Sequence, residues 1–130
     1  MSASAADSMD HQGAIHVVSE TDEIVAVCLQ GDFDLANASV LDDEVDRALK
    51  TGNNLIFDLS EATFIDCSVI NVLLRAVKAA GGGKQRLVLQ LGTAAIVERV
   101  LEIVMVEQVV TRAHDRQEAV RIIHQQAETV

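Results

Sequence analysis

The chain has 130 residues, 49% of them hydrophobic but only 2% aromatic, and carries a formal charge of -10 from 20 acidic and 10 basic residues. That length suits one domain with a substantial aliphatic core. The acidic balance and the lack of aromatic stacking platforms exclude a nucleic-acid binder, and no apolar stretch reaches the roughly 20 residues that span a bilayer.

Residues 1–13 are small and polar, without the basic and apolar regions of a signal peptide. They read as a disordered tail on a cytoplasmic protein, with the domain over 14–130. Ile15 to Ser19 and Ile24 to Leu29 read as strands joined by the polar turn Glu20-Thr21-Asp22-Glu23, too short for anything but an antiparallel hairpin. The second strand is apolar at nearly every position, as a central strand is. Gly31-Asp32-Phe33-Asp34 is expected to break it.

A helix is expected from Ala36 to Lys50, with Leu41, Val45, Ala48 and Leu49 on one face and Asp42, Asp43, Asp46 and Arg47 on the other. Leu55 to Leu59 is a third strand. Phe64-Ile65-Asp66-Cys67-Ser68 then leads into a second helix, from Ser68 to Ala80. This helix is apolar over most of its circumference, with Asn71, Arg75 and Lys78 as one narrow polar stripe. Its flanks are either buried by neighbours or left open for a partner, and a weak dimer through it is compatible with the pattern.

Gly81-Gly82-Gly83-Lys84 follows a helix and precedes a strand, the reverse of a phosphate-binding loop, so capping and a turn explain it. Arg86 to Leu91 is a strand, and a third helix begins after Gly92-Thr93 with Ile96, Val97, Val100, Leu101 and Val104 aligned. Val106 to Val110 is a candidate last strand. Asp115 and Glu118 form a capping-box-like pair before a final helix burying Val120, Ile123 and Ala127. The fold class is α/β: a four- to five-stranded mixed sheet, antiparallel at the first hairpin and parallel after it, with about four helices.

The strand-to-helix junction at residues 64–68 is the candidate site. It sets a carboxylate, a thiol and a hydroxyl where a new helix leaves backbone N–H groups unpaired, a spot that suits added negative charge. Asp66 is placed to cap that helix, and the alternative for Ser68 is a capping role alone. Cys67 at a helix start is a candidate redox-sensitive thiol. Cys28 in a buried strand reads as a small hydrophobe, and the sequence leaves a Cys28–Cys67 bridge open. His11, His16, His114 and His124 lack metal-ligand spacing, and no catalytic constellation of carboxylates or of Ser, His and Asp is present.

Gly31-Asp32-Phe33-Asp34, the acidic helix, and Leu55-Ile56-Phe57-Asp58-Leu59 with Phe64-Ile65-Asp66-Cys67-Ser68 together resemble the STAS domain of bacterial anti-sigma factor antagonists. The resemblance covers the chain from about Ile15 to Glu128. It implies a non-enzymatic regulator that needs no cofactor. Its partner would be an anti-sigma factor that is also a serine kinase, and binding it frees the sigma factor; a phosphatase would restore the unmodified state. By position, Ser68 matches the family's phosphoacceptor, Asp66 the motif Asp, and Asp34 the acidic residue beside the phosphoacceptor. Cys67 stands for the usual first hydroxyl residue, Val69 for the usual Gly, and Asn71 for a small residue. All five neighbours, Asp34, Asp66, Cys67, Val69 and Asn71, are thereby assigned to partner contact. The same resemblance allows a second role, as an accessory subunit of a lipid-transport ABC complex or of a stress-signalling assembly.

Overall fold

The computed structural model describes residues 13–103 and 110–128. Among these residues nine elements follow in chain order: β1 (Ala14–Thr21), β2 (Ile24–Phe33), α1 (Leu35–Lys50), β3 (Asn54–Ile65), α2 (Cys67–Gly82), β4 (Leu87–Gln90), α3 (Ala95–Ile103), β5 (Thr111–Ala113) and α4 (Arg116–Glu128). The five strands lie in the order β1-β2-β3-β4-β5. β1 and β2 pair antiparallel, and every later pair is parallel. The mixed sheet with its four helices is the fold expected from the sequence.

Alternation along the strands divides the side chains between two faces. Val25, Val27, Leu29, Leu55, Phe57, Leu59 and Leu89 pack in one core cluster with Leu41 and Val45 of α1, Val72 and Leu73 of α2, and Val97 and Leu101 of α3. Ile24, Ala26, Ile56 and Val88 face the other way, against Ala119 and Ile123 of α4. Covering both faces explains why β2 and β3 read as near-continuous apolar runs.

α2 is buried at Val69, Ile70, Val72, Leu73, Ala76 and Ala80. Its wide apolar girth therefore serves the core, and only Leu74, 38% exposed, is left as a large apolar side chain on its outer side.

Several boundaries differ from the sequence reading. β2 does not break at Gly31: it continues to Phe33, and Gly31 takes the left-handed region at φ 91°, a backbone state that glycine reaches without steric cost. β3 likewise runs past Leu59 to Ile65. The polar residues Ser60 and Glu61 stay in the strand because the register shifts twice, between the pairs Cys28↔Asp58 and Gln30↔Glu61, and between Gly31↔Ala62 and Asp32↔Phe64. Each shift inserts one extra β3 residue, a bulge that bends the strand and re-aims its end.

The last strand is Thr111–Ala113; of the segment expected there, only Val110 lies among the described residues, as a buried bend next to that strand. Residues 1–12, Val104 and the side chains of Ile96 and Ala127 lie outside the described residues. Gly13 does not: a Cβ there would sit 2.0 Å from the Phe33 ring. After α2 it is Lys84, at φ 60°, that takes the left-handed turn, and Gly83 caps the helix at φ -91°.

Gly92 marks the tightest backbone approach. A Cβ there would lie 2.4 Å from the Ser60 carbonyl oxygen and 2.8 Å from its Cα. Both obstacles are backbone atoms of the β3 bulge and cannot swing aside. Gly92→Ala is expected to destabilise the domain by about 1–3 kcal/mol, read as a lowered urea midpoint at unchanged m-value; an unchanged midpoint would show the contact to be soft.

Candidate functional site

The site is built by two parallel strands that end side by side. Phe33 of β2 and Ile65 of β3 are register partners, so the residues that follow them, Asp34 and Asp66, leave the same sheet edge one strand apart, a spacing of about 4.8 Å. Each aspartate becomes the N-cap of the next helix, with extended backbone at φ -144° and φ -124°. Two helix N-termini therefore open side by side at the carboxyl edge of the sheet.

Asp34 Oδ1 accepts from the Ala36 backbone N at 2.9 Å, and the Asp34 N–H donates to Asn37 Oδ1 at 2.8 Å. Asn37 Nδ2 also donates to the Asp32 carbonyl at 3.1 Å, fixing the bulged end of β2 to α1. Asn37 was not singled out from sequence, although an Asp followed three residues later by an amide is a legible cap signal.

Asp66 Oδ1 accepts from the Ser68 backbone N at 2.9 Å and from the Ser68 hydroxyl as well. Ser68 is therefore not the cap. It is the second residue of α2, half-buried, with its Oγ held by the capping carboxylate. That bond orients the hydroxyl and makes Asp66 its nearest anionic neighbour. Asp32 is occupied separately, accepting from Thr63 Oγ1 across the second bulge.

Around Ser68 the exposed surface is mixed. Cys67, Asn71, Leu74, Arg75 and Lys78 are all exposed and follow one another at helical spacing down α2. Arg75 Nη2 reaches Asp42 of α1 at 3.1 Å, between side chains that are both well exposed, so the pair contributes little to stability. Leu35, the first residue of α1 and next to Asp34, is 78% exposed. The sequence reading passed over Leu35, whose signal was an apolar residue out of phase with the buried face Leu41–Val45–Ala48.

Val69 requires a correction. It was assigned to partner contact, but it is 1% exposed and belongs to the core under α1 and α2. In the first turn of α2 the helix direction carries residue 69 inward while residues 67 and 71 point out. The structure thus brings together Asp34, Asp66, Cys67, Ser68 and Asn71 at one edge and removes Val69 from that surface.

A second polar cluster lies on the opposite face. Cys28, Asp58 and Gln90 are register partners across β2, β3 and β4, and Arg116 at the start of α4 lies over them. Arg116 Nη2 donates to Asp58 Oδ2 at 2.5 Å and to Cys28 Sγ at 3.1 Å, Nε to Gln90 Oε1 at 2.7 Å, and Nη1 to Glu20 Oε1 at 2.7 Å. Burial works against the guanidinium charge, but the hydrogen bonds to Asp58 and Glu20 outweigh it and hold its pKa above the ordinary value. Asp58 is 5% exposed and also accepts from the Ser60 N–H at 2.7 Å. Among the described residues no buried side-chain nitrogen or oxygen lacks a hydrogen-bond partner, and this cluster fastens α4 to the sheet. Half of the box expected at the start of α4 is present: the Glu118 N–H donates to Asp115 Oδ1 at 2.8 Å, while the Glu118 carboxylate accepts from the His114 N–H, one residue before Asp115, at 2.6 Å.

Both cysteines are free, Cys67 exposed and Cys28 half-buried. Burial, the largest influence, pushes the Cys28 thiol up; Arg116 opposes it and Asp58 adds to it. A raised thiol pKa favours the neutral form in the folded state, so its contribution to stability is present below the ordinary thiol pKa of about 8.5 and fades as pH rises past it. The alkylation rate of Cys28, followed against pH by peptide mass spectrometry, is expected to have its midpoint above that ordinary value. A midpoint at or below it would contradict the burial assigned here.

Among the described residues no group of His, Cys, Asp or Glu is arranged to hold a metal ion, and no helix is long and apolar enough to cross a membrane.

The same architecture occurs in known proteins. An anti-sigma factor antagonist from Mycobacterium paratuberculosis is 15% identical and superposes with a TM-score of 0.78, over 88% of this chain and 97% of that one. An anti-sigma-factor antagonist domain protein from Planctomyces limnophilus is 17% identical, with a TM-score of 0.70 over 84% of this chain and 96% of that one. The Bacillus cell fate determinant SpoIIAA in its phosphorylated form is 17% identical, with a TM-score of 0.65 over 84% of this chain and 99% of that one. At such identities these likenesses speak for the fold. No curated protein matches the sequence. The family model of the STAS domain, however, matches residues 16–119, from the first strand into α4 and across both helix caps of the candidate site, and on that match the chain belongs to the STAS domain family.

Proposed function

We infer that this chain is an anti-sigma factor antagonist, acting in the cytoplasm by binding rather than by catalysis. Its partner is an anti-sigma factor of the serine-kinase type, which supplies the ATP site. Binding in the unmodified state frees the sigma factor; phosphorylation of Ser68 ends the binding, and a phosphatase restores it.

The observation that carries this reading is the placement of the Ser68 hydroxyl. It sits at the second position of α2, at a sheet edge with two helix N-termini, and is held by Asp66 Oδ1. A phosphate there adds about -1.5 to -2 charges. The N–H groups of the first turn of α2 tolerate that charge, so the domain stays folded. Asp66 and Asp34 lie at the same edge, and the added anion deepens a field that is already negative. A partner surface fitted to a neutral hydroxyl is repelled, without any large rearrangement of the domain. The exposed Cys67, Asn71 and Leu35 supply neutral contact area around the switch.

The test is co-purification with a kinase-type anti-sigma factor, with ADP and then with ATP. The expected result is capture with ADP and release as Ser68 becomes phosphorylated with ATP. Capture of a transport ATPase subunit instead, with no phosphate on Ser68 under any condition, would favour the accessory-subunit role.

A further inference from the structure

β1 has an exposure that the fold itself does not account for. It is an edge strand, and its outer row of N–H and C=O groups meets no strand among the described residues. Val17 and Val18 are 48% and 43% exposed, one on each face of the strand by alternation. Edge strands are ordinarily guarded by lysine, proline, inward-facing charge, shortness or a bulge. β1 is eight residues long, Ala-Ile-His-Val-Val-Ser-Glu-Thr, with neither lysine nor proline. Its one irregularity lies at Glu20, between Ser19 and Thr21, and the bond to Arg116, which also reaches Cys28, keeps the Glu20 side chain on the face where His16 stands opposite Cys28.

The strand is also complementary to itself. An antiparallel copy centred on Val18 sets Val18 opposite Val18, Val17 opposite Ser19, Ile15 opposite Thr21, and His16 opposite Glu20, twice by symmetry. Centring on Val17 instead puts Glu20 opposite Ala14 and His16 opposite Val18, and a half-step to either side also parts the acid from the imidazole. One register alone aligns an apolar pair on the axis with two acid–imidazole pairs beside it, the cross-strand combinations that stabilise sheets. Glu20 uses Oε1 for Arg116 and His16 uses Nε2 for Gln30 Oε1 at 3.0 Å, leaving the other Glu20 oxygen and His16 Nδ1 for each other across the two copies.

We propose that β1 is a self-association edge: a second copy of this chain pairs with it antiparallel, in the register centred on Val18, joining two five-stranded sheets into one. One pair of eight-residue strands buries less than a standard interface, so the dimer is weak and reversible, with a Kd on the order of 100 μM. Like charge on the two copies opposes the contact, so measurements belong at physiological salt or above. Ser68, Asp34 and Asp66 are not on β1, and pairing there leaves the phosphoacceptor edge of each copy available.

Sedimentation equilibrium of the full chain from about 10 μM to 1 mM, spanning the Kd on either side, tests this. The average mass is expected to rise from 14.0 kDa towards twice that value. Val18→Lys sets two ammonium groups face to face on the axis and is expected to hold the mass at 14.0 kDa throughout. His16→Glu sets like charges opposite each other and is expected to weaken association about tenfold. Amide exchange of the wild-type chain is the second readout, with β1 amides gaining protection as concentration rises. If Val18→Lys fails to fold by circular dichroism, His16→Glu and amide exchange decide. A mass fixed at 14.0 kDa, association indifferent to either variant, or β1 amides equally protected at every concentration would overturn the proposal; the last would mean that the monomer covers its own edge.

Discussion

Ser68→Glu is expected to leave the domain folded and to weaken binding to the kinase-type anti-sigma factor by about 100-fold, or roughly 3 kcal/mol. The two halves of that expectation have separate physical grounds. Position 68 is the second residue of α2, where a carboxylate gains from the unpaired N–H groups of the first turn. It also loses the Ser68 hydroxyl bond to Asp66 and sits beside that carboxylate. The opposing effects are each about 0.5–1 kcal/mol, so the melting temperature should stay within about 4 °C of wild type. On the function proposed above the partner patch is shaped for a neutral hydroxyl, and burying a fixed anion there unpaired costs several kcal/mol. Ser68→Ala, which adds no charge, is expected to bind nearly as wild type does. Isothermal titration on the three forms separates them. Equal affinity for Ser68→Glu and wild type would show that charge at this edge does not govern docking.

Arg116→Ala is expected to be the most destabilising single change on the α4 face, at about 3 kcal/mol. The guanidinium is partly open to solvent, but Asp58 beneath it is 5% exposed. Truncation leaves that carboxylate without its cation and takes from Gln90 and Glu20 their hydrogen-bond donor. For a domain of this size the loss corresponds to roughly 10 °C in melting temperature. The double variant Arg116→Met with Asp58→Leu removes both charges, and most of the loss should be recovered, because the cost lies in an orphaned buried charge rather than in a missing bond. A loss below about 0.5 kcal/mol, the scale of an exposed ion pair, would mean that water already screens Asp58.

The fold was legible because its elements carry strong periodic signals. β2 and β3 are apolar without alternation, which only strands covered on both faces can be, and α1 keeps its acidic and aliphatic residues on separate faces. The single antiparallel pair followed from one short turn, and the parallel direction of the later strands from three helical crossovers. What the sequence hid was the carboxyl edge. Gly31-Asp32 and Ser60-Glu61 have the composition of turns, yet both lie within strands, because two bulges and one left-handed glycine absorb the irregularity. The end point was still correctly placed, since Asp34 and Asp66 mark helix starts whatever precedes them.

Within the site, the linear pattern brought Asp66, Cys67 and Ser68 to one junction. It could not say which side of the helix residue 69 occupies, and so put a core valine on the surface. The Arg116–Asp58 cluster was not foreseen at all. Its members lie 58 residues apart, and an isolated Asp in a strand together with an Arg at a helix start gives no local sign of pairing.

The central claim is that the anion is added at Ser68 and nowhere else. Incubation of the full chain with its kinase-type anti-sigma factor and ATP, followed by tandem mass spectrometry of the peptide spanning α2, tests it most directly. The account predicts one phosphate per chain, on Ser68, and none in Ser68→Ala. A phosphate on another residue, or an unmodified Ser68 in a chain that the kinase nevertheless releases, would contradict it.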